Sequence, residues 1–288
     1  VLFRSLKELF PDVPVVIGGI EASQRRITHY DYWDDTLHPS ILVDTKADFL
    51  TYGMAERAMV ALAKGMQEGK KTEELQQIPQ IAYLSNDVNA PVDIELASHQ
   101  ACLASKKVQA QNFKIFEEES NRYQSDNRLG QVVGNQKVII NPPYPIISTP
   151  ELDALYSLPY TRQPHPRYKG KTIPAYDMIK FSVTMHRGCF GGCSFCTISA
   201  HQGKFIASRS QASILKEVEL IAQDEQFKGY ISDLGGPSAN MYQLRGKNIE
   251  LCKKCKKPAC LHPSICQNLD TNHGPLIDLY RKVRALPG

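Results

Sequence analysis

The stretch Arg187-Gly188-Cys189-Phe190-Gly191-Gly192-Cys193-Ser194-Phe195-Cys196 decides how this chain is read. Its cysteines are spaced C-x3-C-x2-C, with an aromatic residue just before the last. Three thiolates on one short loop can hold three irons of a four-iron, four-sulfur cluster and leave the fourth iron without a protein ligand. An open coordination position is where a metal centre does chemistry, whereas a closed one is structural or carries electrons. Gly188, Gly191 and Gly192 suit a loop that wraps a cluster, because glycine reaches unusual backbone angles and lets amides approach sulfur. A zinc loop is the other reading of three close thiols.

The flanking sequence places this loop. Ile179 to Met185 reads as a strand, and the cysteines follow its carboxyl end. Ser208 to Ala222 has the spacing of a helix with Ile214, Val218 and Ile221 on its apolar face. Lys228 to Leu234 reads as a second strand that runs into Gly235-Gly236-Pro237. Strand, loop, helix and strand in that order predict the start of a (β/α) barrel, whose sites are built on the carboxyl-end face. Leu276 to Leu286 begins another helix. A full barrel takes about 250 residues, so residues 178–288 supply only its first part.

Upstream, Pro14-Val15-Val16-Ile17, Asp48 to Tyr52 and Ile81 to Leu84 are strand candidates, and Ala55 to Met66 has helical spacing. This alternation predicts a Rossmann-like α/β remnant over residues 1–90. Gly18-Gly19 and Gly53 stand at strand ends, where glycine serves either a turn or a ligand. Residues 91–130 read as one long helix with a narrow apolar stripe. Val138-Ile139-Ile140 is a strand candidate, and residues 141–176, rich in Pro and Tyr, read as an extended linker. The expected organisation is therefore 1–90, then a helical insert and linker over 91–177, then a barrel core over 178–288. The start at Val1 inside a helical pattern and the stop at Leu286-Pro287-Gly288 read as those of a fragment.

The motif Cys189/Cys193/Cys196 resembles that of the radical S-adenosylmethionine (radical SAM) superfamily. Further phrases extend the likeness: Gly18-Gly19-Ile20-Glu21-Ala22-Ser23, His29-Tyr30-Asp31-Tyr32-Trp33, Asn141-Pro142-Pro143, Glu151-Leu152-Asp153, Leu158-Pro159-Tyr160-Thr161-Arg162, His165-Pro166-Arg167-Tyr168, and Asp233-Leu234-Gly235-Gly236-Pro237-Ser238-Ala239-Asn240-Met241-Tyr242. Together they are similar to the YgiQ-type (UPF0313) radical SAM proteins. The resemblance implies a [4Fe-4S] cluster on Cys189, Cys193 and Cys196, with S-adenosylmethionine on the open iron. It implies reductive cleavage to a 5′-deoxyadenosyl radical that abstracts hydrogen from a substrate it leaves unknown. It places Phe195 beside the adenine and the Gly235-Gly236 backbone against the amino group. A family Gly-Gly-Glu becomes Gly-Gly-Pro here, so the acidic contact is missing. Arg209 is a candidate for the carboxylate, or equally for a surface role at the start of its helix. A low-potential reductant such as flavodoxin or ferredoxin is the implied partner, and the cytoplasm the implied compartment.

A second group, Cys252, Cys255, Cys260 and Cys266, has the spacing C-x2-C-x4-C-x5-C. Four cysteines so close suit zinc or an auxiliary iron–sulfur cluster, and spacing does not separate the two. A rival from another class is an electron-carrying or structural metal protein, against which the open three-thiolate loop argues. An RNA-modifying methylthiotransferase-like enzyme is a further alternative. The net charge of +4 over 288 residues gives no concentrated basic stripe to support nucleic acid. No apolar run reaches the length of a membrane span.

Overall fold

The computed structural model describes residues 2–237 and 240–287, so Ser238 and Ala239 of the glycine motif and the terminal Val1 and Gly288 lie outside the described residues. The chain is α/β throughout and divides into two compact units. One holds residues 1–145 with 194–203 and 253–258; the other holds 146–193, 204–252 and 259–288.

The first unit runs α1 (Leu2–Leu9), β1 (Val16–Ile17), α2 (Gly19–Gln24), β2 (His29–Asp31), β3 (Thr36–His38), α3 (Ile41–Thr45), β4 (Phe49–Thr51), α4 (Glu56–Gln67), α5 (Thr72–Leu75), β5 (Ile81–Ser85), β6 (Ile94–Leu96), α6 (His99–Ala104), α7 (Lys106–Ser120), β7 (Leu129–Val133) and β8 (Gln136–Ile140). Six strands form one sheet in the order β1-β4-β5-β8-β7-β6. The outer pairs β1/β4 and β6/β7 are parallel and the inner pairs antiparallel. Its two faces follow from the period-two alternation of side chains. Ile17, Leu50, Ala82, Val138 and Ile140 pack with Ala22, Leu42 and Phe116 of α2, α3 and α7. Phe49, Ile81, Tyr83 and Ile139 pack with Ala58, Leu62 and Leu75 of α4 and α5. Strands apolar on both faces are what a sheet covered on both sides requires.

The expected long helix over 91–130 is replaced by β6, α6, α7 and β7. Ser105 is extended at φ −151°, ψ 114° and parts the two helices. β6 and β7 pair with each other, and β7 with β8, so this segment completes the sheet. A Cβ on Gly130 in β7 would lie 2.5 Å from the end of the Lys137 side chain and 3.0 Å from Val92, so an alanine there would have to displace the lysine.

The second unit contains α8 (Thr149–Tyr156), a 3-10 turn at Pro166–Tyr168, α9 (Pro174–Ile179), β9 (Ser182–Thr184) and β10 (His186–Arg187). After the excursion through α10 (Ile198–Gln202) of the first unit come β11 (Ala207–Ser208), α11 (Gln211–Ala222), β12 (Asp233–Gly235), α12 (Ile249–Lys253) and α13 (Gly274–Arg284). The linker is thus partly helical. Ser148 and Glu151 form a capping box that starts α8, which stabilises a helix end by about 1 kcal/mol. Both strands of the second unit's parallel pair, β9 and β12, are shorter than their apolar runs. Pro174 opens α9, whose turn takes in Ile179. Gly229 is left-handed at φ +78°, so the run from Lys228 does not begin extended. The parallel pair β9/β12, in register Thr184↔Gly235, is connected through α11. Its core joins Val183 and Met185 to Ile214, Val218 and Ile221 of α11 and Leu276 and Leu279 of α13. No helix among the described residues is long and apolar enough to cross a membrane.

Candidate functional site

The cysteine loop leaves the carboxyl end of β9, as the sequence predicts. Met185 donates its N–H to the Gly235 carbonyl at 2.8 Å, which binds the start of the loop to the end of β12. Gly188 then takes φ +89° and Gly192 φ +64°, angles that L side chains avoid. Cys189 and Phe190 are buried, and Cys193 is exposed. A Cβ on Gly191 would lie 3.4 Å from Cys189 Sγ and 3.7 Å from Cys193 Sγ. Both sulfurs therefore curl around the same glycine and share the space above it. Among the described residues, no three His, Cys, Asp or Glu side chains are gathered into a metal-holding arrangement, and no cysteine is in a disulfide. Two thiols converging on a glycine cradle fit a soft metal centre, and thiolate loops close as metal binds. Cys196 is half-buried and Phe195 is 89 % exposed; both fall in the 194–203 segment of the first unit.

The glycines after β12 are held by their neighbours. The Gly236 N–H donates to Asn240 Oδ1 at 3.3 Å. Asn240 Nδ2 donates to the Tyr280 hydroxyl, which donates to the Leu234 carbonyl. A Cβ on Gly236 would stand 1.9 Å from Nε2 of the buried His186. That nitrogen accepts the Met241 N–H at 3.1 Å, so the ring carries its proton on Nδ1. Gly236→Ala must displace this ring and is expected to destabilise the protein by about 2 kcal/mol or more. An unchanged denaturation midpoint would show that the turn is not so constrained.

Arg209 does not take the surface role at the helix start that the sequence allows. It is 1 % exposed. Its Nη1 donates to the Thr184 carbonyl and to Glu217, its Nη2 to the Ser213 carbonyl and hydroxyl, and its Nε to that hydroxyl again. A guanidinium has five N–H donors, and all five are engaged here. The guanidinium carbon stands over the Tyr156 ring, 4.3 Å from its centre. Burial lowers the Arg209 pKa to about 10. The residue clamps the end of β9 to α11.

The first unit carries a polar knot that the sequence reading missed. Gly18-Gly19 and Gly53 do follow β1 and β4, and their glycines have steric reasons. A Cβ on Gly18 would lie 2.7 Å from Thr51 Oγ1, and Gly53 takes φ +66°. Between them the buried Ser23 hydroxyl donates to the Gly19 carbonyl at 2.8 Å and accepts the Gly53 N–H at 2.9 Å. His201 Nδ1 stands 3.0 Å from the same hydroxyl. With the hydroxyl proton already given, the imidazole must be the donor, leaving Nε2 as its acceptor. His201 is the last but one residue of α10, which packs on α2. Its only sequence signal is its place on the short run after Cys196.

Burial holds the pKa values of His201, His29 and His99 below 6.5. As pH falls through 6.5 the unfolded chain takes up protons before the folded one. Stability is therefore fully present above that value and is lost as pH drops toward the folded pKa values. The denaturation midpoint is expected to fall between pH 7.5 and 5.5, and less so in His201→Gln. Equal slopes in the two proteins would remove His201 from this account.

Residues 1–182 match the family model described as Radical SAM N-terminal. A UPF0313 protein of Bacteroides thetaiotaomicron is 58 % identical, the match covering 98 % of this chain and 48 % of that protein. A UPF0313 protein of Porphyromonas gingivalis is 57 % identical over 99 % of this chain and 45 % of its own. One from Methanocella arvoryzae is 42 % identical over 99 % and 47 %. The chain spans about half the length of the curated relatives it matches. Among solved structures, the radical S-adenosylmethionine methyltransferase TsrM of Kitasatospora setae, with tryptophan substrate and a SAM analogue bound, is 18 % identical. It covers 77 % of this chain and 31 % of that one at a TM-score of 0.39.

Proposed function

This chain belongs to the UPF0313 family with a radical SAM N-terminal region, and from that premise we propose that it serves a radical SAM enzyme. Cys189, Cys193 and Cys196 are the residues that would hold a [4Fe-4S] cluster, with S-adenosylmethionine at the iron they leave open. When bound, the cluster and S-adenosylmethionine supply a one-electron reductive cleavage to methionine and, after hydrogen abstraction from substrate, 5′-deoxyadenosine. The electron comes from a low-potential donor of the flavodoxin or ferredoxin kind. A reducing compartment such as the cytoplasm agrees with eight cysteines and no disulfide among the described residues.

One observation carries this reading: the Cys189 and Cys193 sulfurs turned onto Gly191, at the carboxyl end of a strand whose parallel neighbour ends in Gly235-Gly236. Carboxyl ends of parallel strands in α/β folds are where ligands bind. The chain's own residues prepare the place. Gly188 and Gly192 give the loop its left-handed turns. The Met185 to Gly235 hydrogen bond and the His186 ring fix the two strand ends together. Arg209 supports β9 from within. Gly235 and Gly236 offer a backbone without side chains for close approach.

The test is paramagnetic resonance of the anaerobic, reduced full-length protein. An open iron predicts a four-iron signal that changes when S-adenosylmethionine is added. A cluster signal indifferent to S-adenosylmethionine would favour an electron-carrying protein instead.

A further inference from the structure

We propose that Arg26 recognises an oxyanion, the phosphate or carboxylate group of a small molecule, in a ligand site of the first unit. Arg26 follows α2 and is 4 % exposed. Its Nη1 donates to the Ser23 carbonyl. Its Nε is fully enclosed and has no hydrogen-bond partner. A guanidinium has five N–H donors in a planar fork, so most of the capacity of this one is unused by the chain.

The charge is as poorly met as the donors. The neighbouring Arg25 pairs with Glu21 and Asp31, whereas among the described residues Arg26 pairs with no carboxylate. Its guanidinium carbon stands over the rings of Tyr52 and Phe116, 4.4 Å and 4.1 Å from their centres. Aromatic faces attract a cation, but they give its N–H groups no oxygen acceptor. Burial lowers the Arg26 pKa to about 10, so the group is charged at neutral pH. Buried charges in proteins are ordinarily paired and hydrogen-bonded. Arg209 shows the contrast in the same chain: it too is buried, and it pairs with Glu217 and engages every donor. The partner that Arg26 calls for is an anion with two oxygens side by side, the shape a guanidinium fork matches.

Its place in the fold suits a ligand. α2 leaves the carboxyl end of β1, and the parallel strand β4 ends beside it. Ligands of α/β sheets bind beyond such ends. Ser23 ties Arg26 to this edge, because its carbonyl accepts from the guanidinium and its hydroxyl from the Gly53 N–H after β4. The Arg26 charge also acts on His201, whose pKa it helps to lower. All of these groups belong to the first unit. Nothing in the proposal depends on the cysteine loop or on cleavage of S-adenosylmethionine.

The experiment titrates the full-length protein with inorganic phosphate and, separately, with acetate, in chloride buffer of constant ionic strength. The denaturation midpoint is read for the parent and for Arg26→Met. An anion that binds the folded state alone raises the midpoint. The expected result is a saturable rise of about 2–4 °C in the parent with at least one of the two anions, lost in Arg26→Met. Phosphate as the stronger ligand points to a phosphorylated small molecule, and acetate to a carboxylate. Should Arg26→Met fail to fold, equilibrium dialysis of the parent and Arg26→Lys decides. The parent should hold about one anion per chain, and the lysine variant should bind it about tenfold more weakly, since a point charge cannot present two parallel donors. Salts that act only by exclusion from the surface raise both midpoints alike. Equal responses of parent and variant to both anions, or binding of neither, would overturn the proposal.

Discussion

Cys189→Ala, Cys193→Ala and Cys196→Ala together are expected to abolish the S-adenosylmethionine-responsive cluster of the full-length protein. Iron should fall by about four per chain relative to the parent. Cleavage of S-adenosylmethionine should drop about a hundredfold or more, to the level of cluster-free protein, because the cofactor carries chemistry that no side chain replaces. The expectation is local. Cys189 and Cys193 frame Gly191, and their removal leaves the hydrogen bonds from Met185 to Gly235 and from Met241 to His186 intact. The variant should therefore keep its fold, seen as an unchanged far-ultraviolet circular dichroism spectrum. Should it retain a cluster whose resonance still shifts with S-adenosylmethionine, the ligands lie elsewhere.

Arg209→Met is expected to be the most damaging single change to the second unit. Breaking a buried ion pair destabilises by about 3–5 kcal/mol, because a charge is left behind without its partner. Glu217 also pairs with Arg162, so the loss should fall near the lower end of that range. The Thr184 carbonyl and the Ser213 groups lose their donors as well. Arg209→Lys should recover little, since a point charge cannot span Thr184, Ser213 and Glu217 as the planar fork does. Denaturation midpoints of the two variants test this. If both keep the parent's stability but bind S-adenosylmethionine poorly, Arg209 acts on the ligand and not as a clamp.

The parts of the fold written in local pattern were legible in the sequence. Val16-Ile17, Phe49-Leu50-Thr51 and Ile81 to Leu84 are apolar on both faces, and α4 and α11 show helical spacing of their buried residues. β6 and β7 were not legible. Glu95, Gly130 and Gln131 make them look like helix surface, and only pairing with each other and with β8 makes them strands. Likewise α8 hides in a proline-rich run, although Ser148 and Glu151 spell its cap.

The site divides in the same way. The spacing of Cys189, Cys193 and Cys196 is a local property and could be read directly. Arg209 could not be, because its partners Glu217, Thr184 and Tyr156 are assembled from separate elements. His201 is hidden for a similar reason: Ser23, which fixes its tautomer, lies far away in the chain. Gly236 looked like an open backbone for a ligand, and its close approach to His186 is a second demand on the same glycine.

The most direct test of the central claim is anaerobic incubation of the reconstituted full-length protein with S-adenosylmethionine and a one-electron reductant. Methionine and 5′-deoxyadenosine are quantified by mass spectrometry. The account predicts both products in equal amounts, dependent on the reductant and absent from the Cys189, Cys193 and Cys196 variant. A fully loaded cluster that yields no 5′-deoxyadenosine above the variant's background would contradict it.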